Sequence, residues 1–489
     1  MKQAFVAILL LVALAVPAVV QADSLPPPVV HGNSFEIISN SRYSSHSGFT
    51  ASLSDTVMSN VLWAMSRVPS LGSSYREFYV ATPSNVYLYD PATHTITVHL
   101  SGNHRYSSSS AFEIGIAVER SEEAGLAIEA GLLAGDAFWS HGSGTVTSCP
   151  MAYATSYANS NWSPNHTILM VDVFGHMNVT GLTDSCVAIS SDSTLPRPAT
   201  DRPDTFEVLT GELHQDSVFD QTGLPLQTLS QLLWAGYGVT PHMPIGKRGT
   251  TIPSAVAYYY LTRHIYLVSD TAVFRYNNRV PPGTDLTTSD HRLEHVTSGD
   301  RRDSLRTACP RVPSTAPTYI VVCVGDTTTN WTILEAGFAG YQYLMEAEAL
   351  GLGGFLTAPL SVSERTAVRT ALGLPSSDYP VIIFSTGQAL TGVKGPTYSL
   401  SAQLRVRSNC GLPVRLEYVL SQAGSVRFSI RDLAGRTLRN WTETRVAPGR
   451  YVAEWPGTDN TGAPVPSGVY LVQMAVGNEV SRARVTVTR

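Results

Sequence analysis

Two stretches far apart in this chain are nearly the same. One reads NVLWAMSRVP and the other QLLWAGYGVTP, with Trp63 and Trp234 in matching places. An internal repeat limits the fold more than any composition does. Each copy has to be one folded unit, and both copies have to be the same unit.

The residues downstream of each tryptophan repeat as well. REFYVATPSNVYLYDPATHTITVHLSGNHR answers to RHIYLVSDTAVFRYNNR with DHRLEHVTSGDRR, in aromatic and β-branched runs broken by turn residues. Each copy then gives a short apolar strand (AFEIGIAVE, TYIVVCVGD) and a helix opening on Glu-Ala-Gly (LAIEAGLLAGDAF, TILEAGFAGYQYLMEAEALGLGG). A last strand closes each copy, HTILMVDVFG or DYPVIIFSTG. The separation grows from 171 at the tryptophans to 187 at Tyr89 and Tyr276, 197 at Gly102 and Gly299, and 206 at Glu129 and Glu335. A separation that only grows means one α+β fold built twice, with insertions in the second copy.

At 489 residues the chain holds two to four domains, and 43% apolar with 15% charged residues is a globular balance. A net charge of −5 gives no electrostatic footprint for nucleic acid. The opening MKQAFVAILLLVALAVPAVVQA has a lysine, an apolar run and a small-residue exit, so residues 1–22 read as a secretory signal peptide. The mature protein is then expected to be secreted or displayed at the cell surface. The five cysteines have no metal-ligand spacing. Export permits a disulfide between Cys149 and Cys186, with buried free thiols as the alternative. His291 and His295 in DHRLEH read as solvated loop residues rather than ligands, and no metal site is expected.

The second copy resembles the flavin-dependent nitroreductase superfamily, most nearly its azoline-oxidising dehydrogenase branch. LSQLLWAGYGV, GKRGTTIPSAVAYYYLTRHIYLV, LEHVTSGDRRDSLRTA, LEAGFAGYQYLMEAEALGLGG and ERTAVRTALGL come in family order between Phe206 and Gln388. The resemblance implies a sheet wrapped by helices and an obligate dimer with FMN at its interface. Two copies in one chain would build that dimer internally, as a pseudo-dimer of residues 34–185 and 204–390 joined by a linker at 186–203. Fusion replaces an association cost by a short closure cost.

The resemblance also implies where flavin would be held. The family binds the FMN phosphate with Arg-x-Ser-x-Arg, whose last member stands seventeen residues before the tryptophan. Counting back from Trp63 gives Arg42, Ser44 and His46; counting back from Trp234 gives Leu213, Gln215 and Ser217. Arginine offers a forked donor to phosphate, so only the first copy keeps the chemistry. The complementary Pro-Ser-Ala, facing the flavin from the other side, survives only in the second copy as Pro253, Ser254 and Ala255. Gly353 and Gly354 are further expected flavin contacts. Each half thus lacks what the other keeps, and one composite site is expected with its mirror image dead. No catalytic residue is assigned.

From residue 401 to 489 the chain changes to short alternating strands with turns at LAGRT and GTDNTGAPVPSG, which predicts a small β-sandwich. The Trp455 to Tyr470 segment resembles the Ig-like domain of flagellar hook-cap proteins and type IX sorting domains, implying contact with secretion machinery or the cell surface. Two functional classes emerge. One is an exported FMN-dependent oxidoreductase acting on a small molecule, with NAD(P)H or another donor. The other is a flavin-free nitroreductase-like scaffold at the cell surface.

Overall fold

The computed structural model describes residues 23–29, 33–45, 47–49, 52–138, 145–177, 188–189, 194–198, 205–241, 249–254, 258–278, 288–358, 360–390, 402–406, 414–420, 424–432, 436–445, 449–476 and 479–487. The signal peptide, His46, Cys186, Ala255 and most of both linkers lie outside them. Two compact units result, residues 1–393 and 394–489.

The first half of the larger unit runs β1 (Asp23–Ser24), α1 (Phe35–Ser41), α2 (Asp55–Ser66), β2 (Arg76–Ala81), β3 (Asn85–Asp90), β4 (Thr95–Ser101), β5 (Phe112–Val118), α3 (Ser121–Asp136), β6 (Thr145–Pro150), α4 (Ala152–Asn161) and β7 (Ile168–Met177). After β8 (Ala188–Ile189) the second half runs α5 (Phe206–Glu212), α6 (Leu226–Tyr237), β9 (Val239–Thr240), β10 (Gly249–Thr250), β11 (Ile265–Val268), β12 (Ala272–Asn277), β13 (Thr288–Ser289), β14 (Arg292–Ser298), α7 (Arg302–Ala308), β15 (Thr318–Val324), α8 (Asn330–Ala349), β16 (Gly353–Thr357), α9 (Val362–Leu372) and β17 (Tyr379–Gly387). Apart from β1, which adds a seventh strand to the first, their sheets have the same strand order. The first is β1-β4-β3-β2-β5-β7-β6 and the second β14-β12-β11-β15-β17-β16.

The pattern of side chains explains the layers. β5 (FEIGIAV) and β15 (TYIVVCV) are apolar almost throughout and buried at every position, as a central strand covered on both faces has to be. Along β2, Phe78 and Val80 turn toward the helices, while Tyr79 and Ala81 turn to the opposite face, under α4. The inward faces of both sheets and helices α2, α3, α6 and α8 share one continuous apolar core. α3 and α8 cross where Gly125 meets Gly337: a Cβ on Gly125 would stand 2.5 Å from Leu334 O and 2.8 Å from Gly337 Cα. Only glycine lets the two backbones come so close.

Side-chain clusters repeat as well. In the first half the Ser59 hydroxyl donates to Pro26 O and meets His94 Nε2 at 2.8 Å, while Tyr89 OH meets His94 Nδ1 at 2.8 Å. In the second half Ser230 donates to Pro196 O at 2.5 Å and meets His291 Nε2 at 2.8 Å, with Tyr276 OH 2.9 Å from Nδ1. Both histidines have left-handed backbone, φ 54° and 39°. His291 is therefore no solvated loop residue; it is 1% exposed. A second cluster is kept with its partners exchanged. Tyr79 OH donates to Glu77, which pairs with His166 at 3.2 Å, whereas Tyr266 OH donates to Asp378, which pairs with His264 at 3.1 Å.

In Leu195 to Pro198, inside the stretch expected to be a linker, Leu195 and Pro198 are buried and the two residues between are not; in Leu25 to Val29 it is Leu25 that is buried. Leu25 and Leu195 are 9% and 4% exposed. The halves also meet at equivalent residues: Ser34 and Thr205, 171 positions apart and each the N-cap of its helix, form an antiparallel bridge. Arg67 at the end of α2 reaches across to Thr210 O and Gly211 O at 2.9 and 2.7 Å.

The smaller unit is a sandwich of β18 (Ala402–Val406), β19 (Val414–Leu420) and β22 (Gly449–Trp455) on β20 (Gly424–Arg431), β21 (Thr437–Arg445), β23 (Gly468–Val476) and β24 (Glu479–Val487). Its Gly and Asp residues shape a turn. Asp459 accepts from Thr461 N and Ala463 N at 2.9 and 3.0 Å, and Gly457 and Gly462 have φ of 74° and 85°. Trp455 and Tyr470 frame it edge to face at 5.5 Å.

Candidate functional site

α1 is capped by Ser34, whose hydroxyl accepts from Ile37 N at 3.2 Å, and it ends at Ser41. Arg42 then has φ −51° and ψ 128°, so the chain leaves the helix extended and runs beside β6. There Ser44 bridges Ser148, and Thr147 Oγ1 donates to Tyr43 O at 2.5 Å. This geometry sends the Arg42 side chain into the seam between the halves, where it is 8% exposed. Nε donates to Thr251 O at 3.2 Å, Nη2 to Thr250 O at 3.1 Å and Nη1 to Ser44 Oγ at 2.5 Å. Thr250 ends β10, three residues before Pro253. Arg42, with Ser44 bonded to it, thus meets the strand end that leads into Pro253 and Ser254, while Ser254 itself bonds Glu335 and Tyr259.

A buried polar chain supports the contact. Gln342 Nε2 donates to the same Thr251 O at 3.1 Å and to Glu129 Oε1 at 2.7 Å, and its Oε1 lies 3.2 Å from Ser39 Oγ. Pro253 is buried, while the Ser254 hydroxyl donates to Glu335 at 2.5 Å and accepts from Tyr259 N at 2.7 Å. Behind Arg42 lie Glu129, Asp136 and Asp172, at most 4% exposed. Both side-chain oxygens of Asp172 and one each of Glu129 and Asp136 have no hydrogen-bond partner among the described residues. Burial pushes Glu129 up to about 8 and raises both aspartates, since little there solvates a charge. Acids raised in this way oppose the Arg42 charge less than ordinary carboxylates would. Burial also pushes the Cys149 thiol up to about 12, with Asp172 adding to the shift; Cys149 is a free thiol.

The opposite pole starts from the same backbone and ends differently. Leu213 leaves α5 with φ −54° and ψ 123°, close to Arg42's values, but carries no charge. Gln215 Oε1 accepts from Leu356 N at 2.7 Å and Asp216 N donates to Gly354 O at 2.9 Å. His214 sits between Asp216 at 3.1 Å and Glu348 at 3.2 Å, and its hydrogen bond to Glu348 helps raise it to about 9. Gly353 and Gly354 are placed here, not at the Arg42 pole. A Cβ on Gly353 would lie 2.9 Å from Asp216 Oδ2 and from Phe219, and one on Gly354 would lie 2.9 Å from Phe384. Ser217 faces solvent here.

His46 and Ala255 lie outside the described residues. Tyr258 and Tyr260, beyond the Pro-Ser turn, stack at 5.5 Å, with Tyr258 68% exposed. Among the described residues no group of His, Cys, Asp or Glu is placed to hold a metal, and no helix is long and apolar enough to cross a membrane. Gln342, Thr251, Asp136 and Asp172 went unseen in the sequence, and Glu129 stood out there only as a marker of the repeat. The one signal for Gln342 and Asp136 was that they stand at the same separation as Glu335 and Glu129.

The residues of the first pole fit an anionic group. Arg42 is oriented by two carbonyls on its Nε–Nη2 edge, and it has N–H groups beyond those three bonds. The Ser44 hydroxyl, which accepts from Arg42, has its own proton to donate. The second pole presents two acids, Asp216 and Glu348, around His214.

Residues 217–388 match the model of the nitroreductase family, and residues 401–479 match that of the FlgD Ig-like domain. Among solved structures, a candidate nitroreductase from Anabaena variabilis aligns with a TM-score of 0.50 at 11% identity, covering 68% of this chain and 88% of that one. A second, from Ralstonia eutropha, has a TM-score of 0.33 at 23% identity and covers 44% of this chain and 97% of that one. An FMN-dependent nitroreductase from Clostridium difficile has a TM-score of 0.26 at 14% identity, covering 40% of this chain and 91% of that one. No curated protein matches.

Proposed function

We propose that this chain is an exported flavin-dependent oxidoreductase of the nitroreductase type, a tandem pseudo-dimer with one working flavin site at the Arg42 pole. The family match supports oxidoreductase chemistry in the second half. The tandem reading draws support from the common strand order, the twice-built Ser–His–Tyr cluster and the bridge between Ser34 and Thr205. The fold likeness at 68% coverage also reaches well beyond residues 217–388.

The observation that carries the single-site reading is the unlike chemistry of the two poles. Arg42 and Ser44 from the first half meet Thr250 and Thr251 of the second, whereas the His214–Asp216–Glu348 group closes the other pole. At the working pole Arg42 and Ser44 would face the flavin phosphate, with the Pro253–Ser254 turn across the seam. When bound, FMN would supply hydride transfer between a donor and a small-molecule substrate. The resemblance to sorting-type Ig-like domains and the leader peptide support a place outside the cell or on its surface.

A second reading, a scaffold without flavin, is favoured by one feature: two backbone carbonyls already engage the side-on edge of Arg42. The visible absorption spectrum of the purified mature chain separates the two. A flavin spectrum, as isolated or after FMN is added and excess removed, supports the oxidoreductase; a colourless chain that retains none supports the scaffold.

A further inference from the structure

Each half is entered through a short proline-bearing segment, Leu25–Val29 or Leu195–Pro198, and the same cluster holds each one. The contacts assign the protons. His94 Nε2 faces two oxygens, Ser59 Oγ at 2.8 Å and Pro26 O at 3.2 Å, so it carries the hydrogen. Nδ1 faces the Tyr89 hydroxyl and accepts from it. His291 repeats this with Ser230, the Pro196 carbonyl and Tyr276. Donors and acceptors match as they stand while the ring is neutral. A second proton, on Nδ1, would force the tyrosine hydroxyl to turn its hydrogen away and give up the bond it donates to the ring. Both histidines also keep left-handed backbone, which costs a non-glycine residue about 1–2 kcal/mol. A strained residue kept at the same place in both halves is held there by its side-chain contacts.

We propose that the two clusters are acid-sensitive latches: protonation of His94 and of His291 loosens Leu25–Val29 and Leu195–Pro198 from their halves while both sheets stay folded. The groups around each ring are consistent with this. Around His94 they are Ser59 of α2, Tyr89 of β3 and the Pro26 carbonyl; the neighbouring Asp90 is engaged by Ala92 N at 2.9 Å and Thr93 Oγ1 at 2.6 Å. Around His291 they are Ser230 of α6, Tyr276 of β12 and the Pro196 carbonyl; the neighbouring Asp290 faces Asn277 Nδ2 at 3.4 Å and Arg292 at 3.8 Å. The ring nitrogens thus bond neutral oxygens in both clusters. Burial lowers both imidazoles, His291 to about 4. A histidine lowered in the fold stabilises it fully above its free value near ~6.5, and the contribution is lost as pH falls from there toward the lowered value. His94 is only half-buried, so it takes its proton first. The second latch lies on the connection between the halves.

Hydrogen–deuterium exchange on the full chain tests this, corrected for intrinsic rates. The reporters are the amides of Leu25 and Val29 for the first latch and of Leu293, which donates to Thr194 Oγ1, for the second. Between pH 7.5 and 4.5 the Leu293 amide is expected to lose protection on the order of fifty-fold, while amides of β15 keep theirs. His291→Gln removes that dependence. Tyr276→Phe deletes the donor to Nδ1 and moves the loss to higher pH. Protection that ignores pH, an unchanged loss in His291→Gln, or a loss shared equally by β15 overturns the proposal.

Discussion

The crossing of α3 and α8 can be tested with two alanines one helical turn apart. In Gly337→Ala the new methyl would meet Glu122 O and lie 2.8 Å from Gly125 Cα. Both are backbone atoms of the opposing helix and neither can rotate away, so α3 and α8 have to separate along the shared core. Overpacking of this kind costs typically about 1–3 kcal/mol, and a rigid backbone neighbour places it at the upper end. In Gly340→Ala the methyl would instead meet Ile382 Cδ1 at 3.4 Å and Leu126 Cδ2 at 3.5 Å, ordinary contacts with side chains. That change also removes a mid-helix glycine, worth about 0.5–1 kcal/mol. Denaturant titration of the larger unit's transition should show Gly337→Ala destabilised by about 2–3 kcal/mol and Gly340→Ala unchanged or more stable. Equal effects from the two, or a neutral Gly337→Ala, would refute the close crossing and with it the tight seam.

Three other outcomes are expected from the same geometry. His214 is raised to about 9, so its ion group stabilises the fold fully below the free value near ~6.5 and less as pH rises through about 9; His214→Gln should flatten that alkaline loss in a stability–pH profile. Asp172 is a buried acid whose side-chain oxygens find no hydrogen-bond partner among the described residues, and such a group costs about 1–3 kcal/mol. Its raised value makes the cost grow with pH, so Asp172→Leu should raise the denaturation midpoint more at pH 8 than at pH 5. Arg42→Met removes charge-assisted bonds worth about 1.5–3 kcal/mol each; it should destabilise the larger unit more than Leu213→Met, its counterpart at the closed pole, in thermal unfolding.

The repeat was the most legible part of the sequence, because strands and helices recur with growing insertions and any single fold has to satisfy both sets. Motif spacing relative to each tryptophan pointed to Arg42 and Ser44, and Arg42 does reach across the seam, though to the Thr250 and Thr251 carbonyls that the spacing did not name. The side-chain chemistry between elements far apart in the chain stayed hidden. His291 sat in a polar run and looked solvated, yet the left-handed backbone turns its ring inward onto Ser230. Gly353 and Gly354 were grouped with the wrong pole because sequence order does not say which end of a sheet an edge strand faces. Their pairing across β17 fixes that, next to Asp216. The exchange of Glu77 and His166 for His264 and Asp378 is invisible residue by residue, because only the pair is kept.

Whether one flavin site exists, at the Arg42 pole, is measured most directly by fluorescence titration of the purified mature chain with FMN. Arg42→Met and Gln215→Met are titrated in parallel. At most one equivalent of FMN per chain is expected. Arg42→Met should weaken binding about tenfold or more, as loss of one charge-assisted contact implies, and Gln215→Met should leave it unaltered. Two equivalents per chain, or equal sensitivity at both poles, would contradict the single site.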